Sequence, residues 1–138
     1  VAVFNDIVVV GSYWDDDFGS VSGSAYMFRT NGTFIKKITD PNGNQGYRFG
    51  NSVAISDTNI VIGSMTNAFN GLTGSGSVFI YDLNGILLYQ IGAPDGGKND
   101  YFGWSVAISG DTVVTGSYFD DDNGSDSGSA YVCVSFTC

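Results

Sequence analysis

Two acidic triplets are the most concentrated polar chemistry in this chain. Asp15-Asp16-Asp17-Phe18-Gly19 and Asp120-Asp121-Asp122-Asn123-Gly124 each follow an apolar stretch and a pair of aromatic residues. Carboxylates at alternate positions, with a Gly for a sharp turn, can supply part of the oxygen shell that Ca²⁺ takes. In the second triplet Asp120, Asp122 and Asp126 stand at i, i+2 and i+6 with Gly124 between them, a partial ligand set. In the first, the matching residues are Asp15, Asp17 and Val21, so one carboxylate is missing. A third stretch of the same design offers Asn67, Phe69 and Thr73, with no carboxylate. If metal binds, it is expected at the Asp120 loop first and not at the Asn67 loop. A solvated acidic loop explains the same residues without a metal. Exposed carboxylates ~5 Å apart repel by only about 1 kcal/mol in water.

Aromatic residues flank this chemistry. Tyr13 and Trp14 precede the first triplet, and Tyr118 and Phe119 precede the second. A ring beside carboxylates can stack on a sugar, which makes Trp14, Tyr118 and Phe119 candidate ligand contacts. The same rings can instead pack between structural units or brace the loop. Trp104 has no counterpart at the matching position, Asn51, and is expected to fill space between units. Catalysis is not expected. The chain has no His and no Glu, hence no imidazole base, no Ser-His-Asp triad and no His-bound zinc. Paired Asp residues can hydrolyse glycosides, but their recurrence at equivalent positions reads as inherited loop chemistry.

The elements that must hold these loops are spelled almost three times. Gly11, Gly63 and Gly116 head three similar stretches, 52 and 53 residues apart. A fixed period of this size marks a repeat architecture whose units bury their apolar faces on one another. Each unit carries four strand signals. A short alternating stretch comes first (Val53-Ala54-Ile55, Val106-Ala107-Ile108). After a polar turn comes an apolar run (Ile7 to Val10, Ile60 to Ile62, Val113-Val114), whose unbroken character predicts a strand covered on both faces. The third strand is Ser24 to Phe28, Ser77 to Tyr81 and Ser129 to Cys133. Asn31-Gly32 and Asn84-Gly85 then predict type I′ hairpins. The fourth strand, Thr33 to Ile38 or Gly85 to Ile91, contains Lys36 and Lys37, which fit an outer edge blunted by charge. The fold class is therefore all-β: a β-propeller segment of about two and a half four-stranded antiparallel blades.

Phe49-Gly50-Asn51-Ser52-Val53-Ala54 with Ile62-Gly63-Ser64, and Phe102-Gly103-Trp104-Ser105-Val106-Ala107 with Thr115-Gly116-Ser117, resemble the FG-GAP repeat of integrin α-subunit propellers and related extracellular proteins. Ser stands where that pattern has Ala. The first unit shows Val10-Gly11-Ser12 without a Phe-Gly. The resemblance implies a propeller of about seven blades, of which this chain carries fewer than three. Its repeats are expected at residues 1–48, 49–101 and 102–138, the outer two truncated. In integrin-like repeats the calcium loop joins the first and second strands. Here that place holds only the tight turns Asn5-Asp6, Asp57-Thr58 and Gly110-Asp111, so that site is not carried over. The implied function is a non-catalytic extracellular or cell-surface scaffold for protein or matrix binding in adhesion, with Ca²⁺ ordering the acidic loops. A carbohydrate-binding propeller and a propeller module of a larger secreted hydrolase are the alternatives.

Charge and cysteine content bound the partners. All 14 acidic residues are Asp against 5 basic ones, for a net charge of −9. That balance argues against a nucleic-acid partner, which needs clustered Lys or Arg. No apolar run approaches the ~18 residues of a membrane span, and no signal peptide is visible. Cys133 aligns with Phe28 and Tyr81, so it is expected to fill an apolar strand position. It can pair with Cys138 only if the chain turns between them, because ~3.3 Å per residue would hold extended cysteines far apart.

Overall fold

The computed structural model describes all residues, Val1–Cys138. The chain is all-β and forms three antiparallel sheets. The first contains β1 (Ala2–Phe4), β2 (Ile7–Ser12), β3 (Ser24–Arg29) and β4 (Phe34–Thr39), side by side in chain order. The second contains β5 (Phe49–Ile55), β6 (Asn59–Ser64), β7 (Ser77–Asp82) and β8 (Leu87–Ile91), in the same order. The third contains β9 (Phe102–Ser109), β10 (Thr112–Ser117) and β11 (Ser129–Val134). This is a partial β-propeller whose blades do not close a ring. No helix is long and apolar enough to cross a membrane.

Strand alternation divides the core in two. Ile60 and Ile62 of β6 and Phe79 and Tyr81 of β7 face the first sheet, where they meet Val9, Ala25, Met27 and Ile38, with Phe49 of β5 in the same cluster. The intervening Val61, Val78 and Ile80 face the third sheet and meet Phe102, Val113 and Cys133. Successive side chains of a strand point to opposite faces, so a strand between two sheets must be apolar throughout. β6 is buried along its whole length. The expectation of two-sided cover holds for Ile60–Ile62 but not for Val113-Val114, since Val114 is 41% exposed. Only the middle sheet has a neighbour on each side within this chain.

The Phe-Gly pairs lock one sheet to the next. Phe49 and Phe102 are fully buried in the two cores. The Phe49 amide donates to the Ser22 carbonyl at 3.0 Å, and the Phe102 amide donates to Ser75 at 2.9 Å. Each following Gly has positive φ, +85° for Gly50 and +88° for Gly103, which a side chain would strain. Their carbonyls press on the preceding sheet. A Cβ on Gly11 would lie 1.9 Å from the Gly50 oxygen, and one on Gly63 would lie 2.3 Å from the Gly103 oxygen. Gly116 has no such neighbour, and a Cβ there would meet only the Ser105 hydroxyl at 2.9 Å.

Three local expectations need correction or completion. The Asn-Gly hairpins are not type I′, because only the Gly of each pair has positive φ. Gly32 donates to the Arg29 carbonyl at 2.9 Å and Arg29 donates to Thr33 at 2.8 Å, closing a three-residue loop with a bulge at Met27/Phe28. Lys36 and Lys37 do more than blunt an edge. Lys36 Nζ donates to the Gly85 carbonyl of the second sheet at 2.8 Å, and Lys37 reaches the first acidic loop. Cys133 fills its apolar place, fully buried, and is also paired with Cys138. The pairing works because the chain turns at Ser135 and Phe136, both at positive φ, and Val134 bonds with Thr137.

Candidate functional site

The residues just after each second strand and those flanking each Phe-Gly meet on one loop face. Tyr13-Trp14, Met65-Thr66 and Tyr118-Phe119 follow β2, β6 and β10. Arg48 and Tyr101 precede the Phe-Gly pairs, while Asn51 and Trp104 follow them. A register shift explains their projection. Phe49 pairs with Ser64 and Val53 with Ile62, so the residues between them bulge from the ladder. The same shift occurs between Gly116 and Ser117, opposite Trp104.

Around Trp104 the rings form a continuous ledge. Trp104 stacks on Tyr118 with centroids 4.8 Å apart and planes at 22°. Tyr101 lies parallel to Trp104 at 6.5 Å and edge-on to Phe119 at 5.3 Å. Tyr118 and Phe119 meet edge to face at 4.7 Å. On the other side, Trp104 shares a recess of about 380 Å³ with Tyr13, Trp14, Arg48, Asn51 and Met65. Trp14 is 62% exposed and Trp104 41% exposed. Trp104 is thus not the expected filler between units; Phe102 has that role. Offset stacking and edge-to-face contact are the favoured arrangements of aromatic quadrupoles and hold such a surface in shape.

The three candidate ligands Trp14, Tyr118 and Phe119 therefore share a face, and Trp104 is the link between them. Sequence reasoning missed Trp104 and Arg48 as members of this face. The usable signal was positional. Both flank a Phe-Gly, and the glycine carbonyl presses on the preceding sheet, so the adjacent side chains have only the loop side open to them.

The acidic loops resolve into three different arrangements at one repeat position. In the first sheet Asp15 accepts from the Ser24 hydroxyl and, at 2.5 Å, from the Tyr26 hydroxyl. Lys37 of β4 pairs with both Asp15 (3.4 Å) and Asp17. The Ser24 and Tyr26 bonds, with Lys37, hold the Asp15 carboxyl below its ordinary range. In the second sheet Asn67 takes the place of Asp15. It donates to Asp40 at 3.1 Å and accepts from Ser77 at 3.1 Å, with Gln90 standing where the first sheet has Lys37. Asp40 is itself buried, and that burial raises its pKa against the bonds from Asn42, Asn67 and Ser64.

The third loop is the least balanced. Tyr131 contacts Asp120 at 2.7 Å and Asp95 at 2.8 Å through one hydroxyl. A phenol has a single proton to donate. One of those contacts therefore needs a second proton on a carboxylate, or a cation nearby. Burial pushes the Asp120 carboxyl up, but bonds from Tyr131, Ser129 and the Asp122 amide outweigh it and hold it low. Asp122, facing Asp120, Asp95 and Asp100, is raised by their charge. Ala93 stands where the preceding boundary has Asp40, and the buried Ser117 hydroxyl, counterpart of Ser64, has no partner. Asp126 lines a recess with Asp121, Lys98 and Asn99. No three carboxylates converge with metal-ligand geometry.

No curated protein matches the sequence. The family model described as FG-GAP repeat matches residues 1–28, 33–81 and 89–133. With the Phe-Gly locks and the three stacked antiparallel sheets, this match establishes that the chain belongs to the FG-GAP repeat family.

Proposed function

We propose that this propeller segment is a non-catalytic binding module of an extracellular or cell-surface protein, and that it takes protein, matrix or glycan ligands on the aromatic loop face. The observation that carries the reading is the ledge of Tyr101, Trp104, Tyr118 and Phe119, which extends through Trp104 toward Trp14. Exposed aromatic clusters are costly to leave in water and supply most hot-spot energy at interfaces. The Cys133–Cys138 disulfide supports an oxidising location. The test is retention on immobilised matrix proteins and on glycan surfaces, for the chain and for Trp104→Ala. Loss of about 2 kcal/mol of binding with an unchanged fold is the expected result. Equal retention by Trp104→Ala, or the same loss from Leu88→Ala on the exposed part of β8, counts against the reading.

Calcium belongs to this proposal at the third loop. At the first loop the Lys37 ammonium already pairs with both Asp15 and Asp17, and the second loop has no carboxylate at Asn67. At the third, Asp120 and Asp122 with Asp95 lack any basic partner, and a hard cation would relieve the contact that one Tyr131 proton cannot serve. Millimolar Ca²⁺ should raise the melting temperature, because a ligand of the native state stabilises it. Asp120→Asn should abolish that rise and Asp15→Asn should keep it. No rise, or a rise that survives Asp120→Asn, removes calcium from the account.

A further inference from the structure

We infer that the recess between Trp14 and Trp104 binds a saccharide bearing a single carboxylate, with Arg48 as the anchor for that charge. This rests on the loop-face binding reading above and names its ligand class.

The recess has the make-up of a small-ligand site. Its volume of about 380 Å³ lies in the usual range of such pockets. Rings from Tyr13, Trp14 and Trp104 wall it, and the nearly buried Met65 lines it. Asn51 is a fixed wall. Its amide donates to the Gly103 and Trp104 carbonyls at 2.9 and 3.0 Å, and its oxygen accepts from the Met65 amide at 3.0 Å. That leaves Arg48 as the one charged group lining the cavity.

Arg48 is held in place and uncommitted. Its amide donates to the Val21 carbonyl at 3.1 Å, and its carbonyl accepts from Asn51 at 3.2 Å. The chain's ion pairs belong to Arg29 and Lys37, and Arg48 enters none of them. The acids nearest in sequence to Trp14 are engaged elsewhere: Asp15 with Ser24, Tyr26 and Lys37, and Asp16 with the Val21 amide at 2.7 Å. The positive φ of Arg48 is no functional strain by itself, since its counterpart Tyr101 has it too, +54° against +60°. The side chains make the difference. Tyr101 lays its ring on Trp104 and Phe119 and completes the ledge. Arg48 lines an open recess instead.

Chemistry then selects the ligand. Flat rings take the apolar face of a sugar ring, and a guanidinium takes a carboxylate through two parallel bonds. The net charge of −9 opposes any polyanion. A chain with one acidic sugar satisfies Arg48 without meeting that field repeatedly.

The experiment is calorimetric titration of the whole chain with four probes: a neutral hexose oligosaccharide, the same oligosaccharide ending in one hexuronate, a densely sulfated polysaccharide, and an Asp-rich peptide. The uronate form should bind at least tenfold more tightly than the neutral one. Arg48→Gln should erase that preference so that the two sugars bind alike, Arg48→Lys should keep part of it, and Trp14→Ala should weaken both sugars. Melting curves confirm that each variant is folded. Neutral binding without a uronate preference, or a preference indifferent to Arg48→Gln, overturns the inference alone and leaves the loop-face reading standing. Stronger binding of the sulfated polysaccharide or the peptide also overturns it. If no sugar binds and Trp104→Ala changes no matrix retention, both readings fall.

Discussion

The first and third repeats carry nearly the same loop, Tyr13-Trp14-Asp15-Asp16-Asp17 against Tyr118-Phe119-Asp120-Asp121-Asp122, and the structure treats them differently. The first is bridged by Lys37, which comes from the fourth strand of its own sheet and pairs with two of its carboxylates. The third sheet has no fourth strand in this chain, and its carboxylates face one another across Tyr131. The middle repeat replaces the pair with neutral groups, Asn67 and Gln90, one on the loop and one on the fourth strand. In the first two sheets the electrostatic state of the loop follows what the fourth strand brings to it, Lys37 in one and Gln90 in the other. The same contrast holds for packing. Gly11 is pressed by a neighbouring backbone and Gly116 is open.

The packing contrast gives the largest expected effect. Gly11→Ala would put a Cβ 1.9 Å from the Gly50 carbonyl oxygen, a backbone atom that cannot swing aside. A loss of about 3 kcal/mol in denaturant unfolding is expected, at the upper end for overpacked cores. Gly116→Ala meets only a hydroxyl that can rotate away, so it should change stability by about 0.5 kcal/mol or less. Equal effects at the two sites would mean that the first two sheets do not pack as described.

The charge contrast comes next. Asp15→Asn removes an ionised acceptor from Ser24, Tyr26 and Lys37, and should cost about 1–2 kcal/mol, the scale of hydrogen bonds to charged groups. Asp120→Asn should cost less, because no ammonium pairs with Asp120. An amide oxygen still accepts from Tyr131, and its NH₂ can donate to Asp95, much as Asn67 donates to Asp40. Urea unfolding of both variants decides it. A loss from Asp120→Asn as large as that from Asp15→Asn would contradict the account of the third loop.

The repeat period and the strand order were legible in the sequence because each is a local pattern repeated at a fixed spacing. The Phe-Gly pairs were legible as a recurring motif, but not that Phe49 and Phe102 are buried and bond to the preceding sheet. The partners of the acidic loops were not legible in the same way. Lys37 looks like an edge charge until β4 is laid beside β3, which brings its ammonium near a loop twenty residues away. The I′ reading of Asn31-Gly32 failed because the loop is one residue longer than the dipeptide suggests, and the bulge at Phe28 absorbs the excess. Trp104 belongs to the face through the register shift at the start of β9 and Arg48 through its place just before Phe49, and neither residue type announces this by itself. Cys138 was readable only as a conditional, since its pairing depends on the turn at Ser135-Phe136.

The smallest effect concerns pH and separates Asp15 from Asp122 by sign. Asp15 has a folded pKa below its ordinary 3.8, chiefly from the Ser24 and Tyr26 hydroxyls. It therefore contributes stability above the unfolded pKa, and that contribution is lost as pH falls through the folded value. Asp122 is shifted the other way, above 3.8, first by the charge of Asp120 and then by burial, Asp95 and Asp100. Its native state holds the proton more tightly than the unfolded chain does. Stability from Asp122 is thus present below the unfolded pKa and lost as pH rises through the folded one. Asp122→Asn should melt like the parent chain at pH ~3 and at a slightly higher temperature at pH ~7. The gap should open as pH rises from the ordinary Asp value through the raised folded one, in buffer with a chelator so that no cation masks the repulsion. A gap of constant size across the titration, or one that favours the parent chain at neutral pH, would show that the third loop is as well balanced as the first.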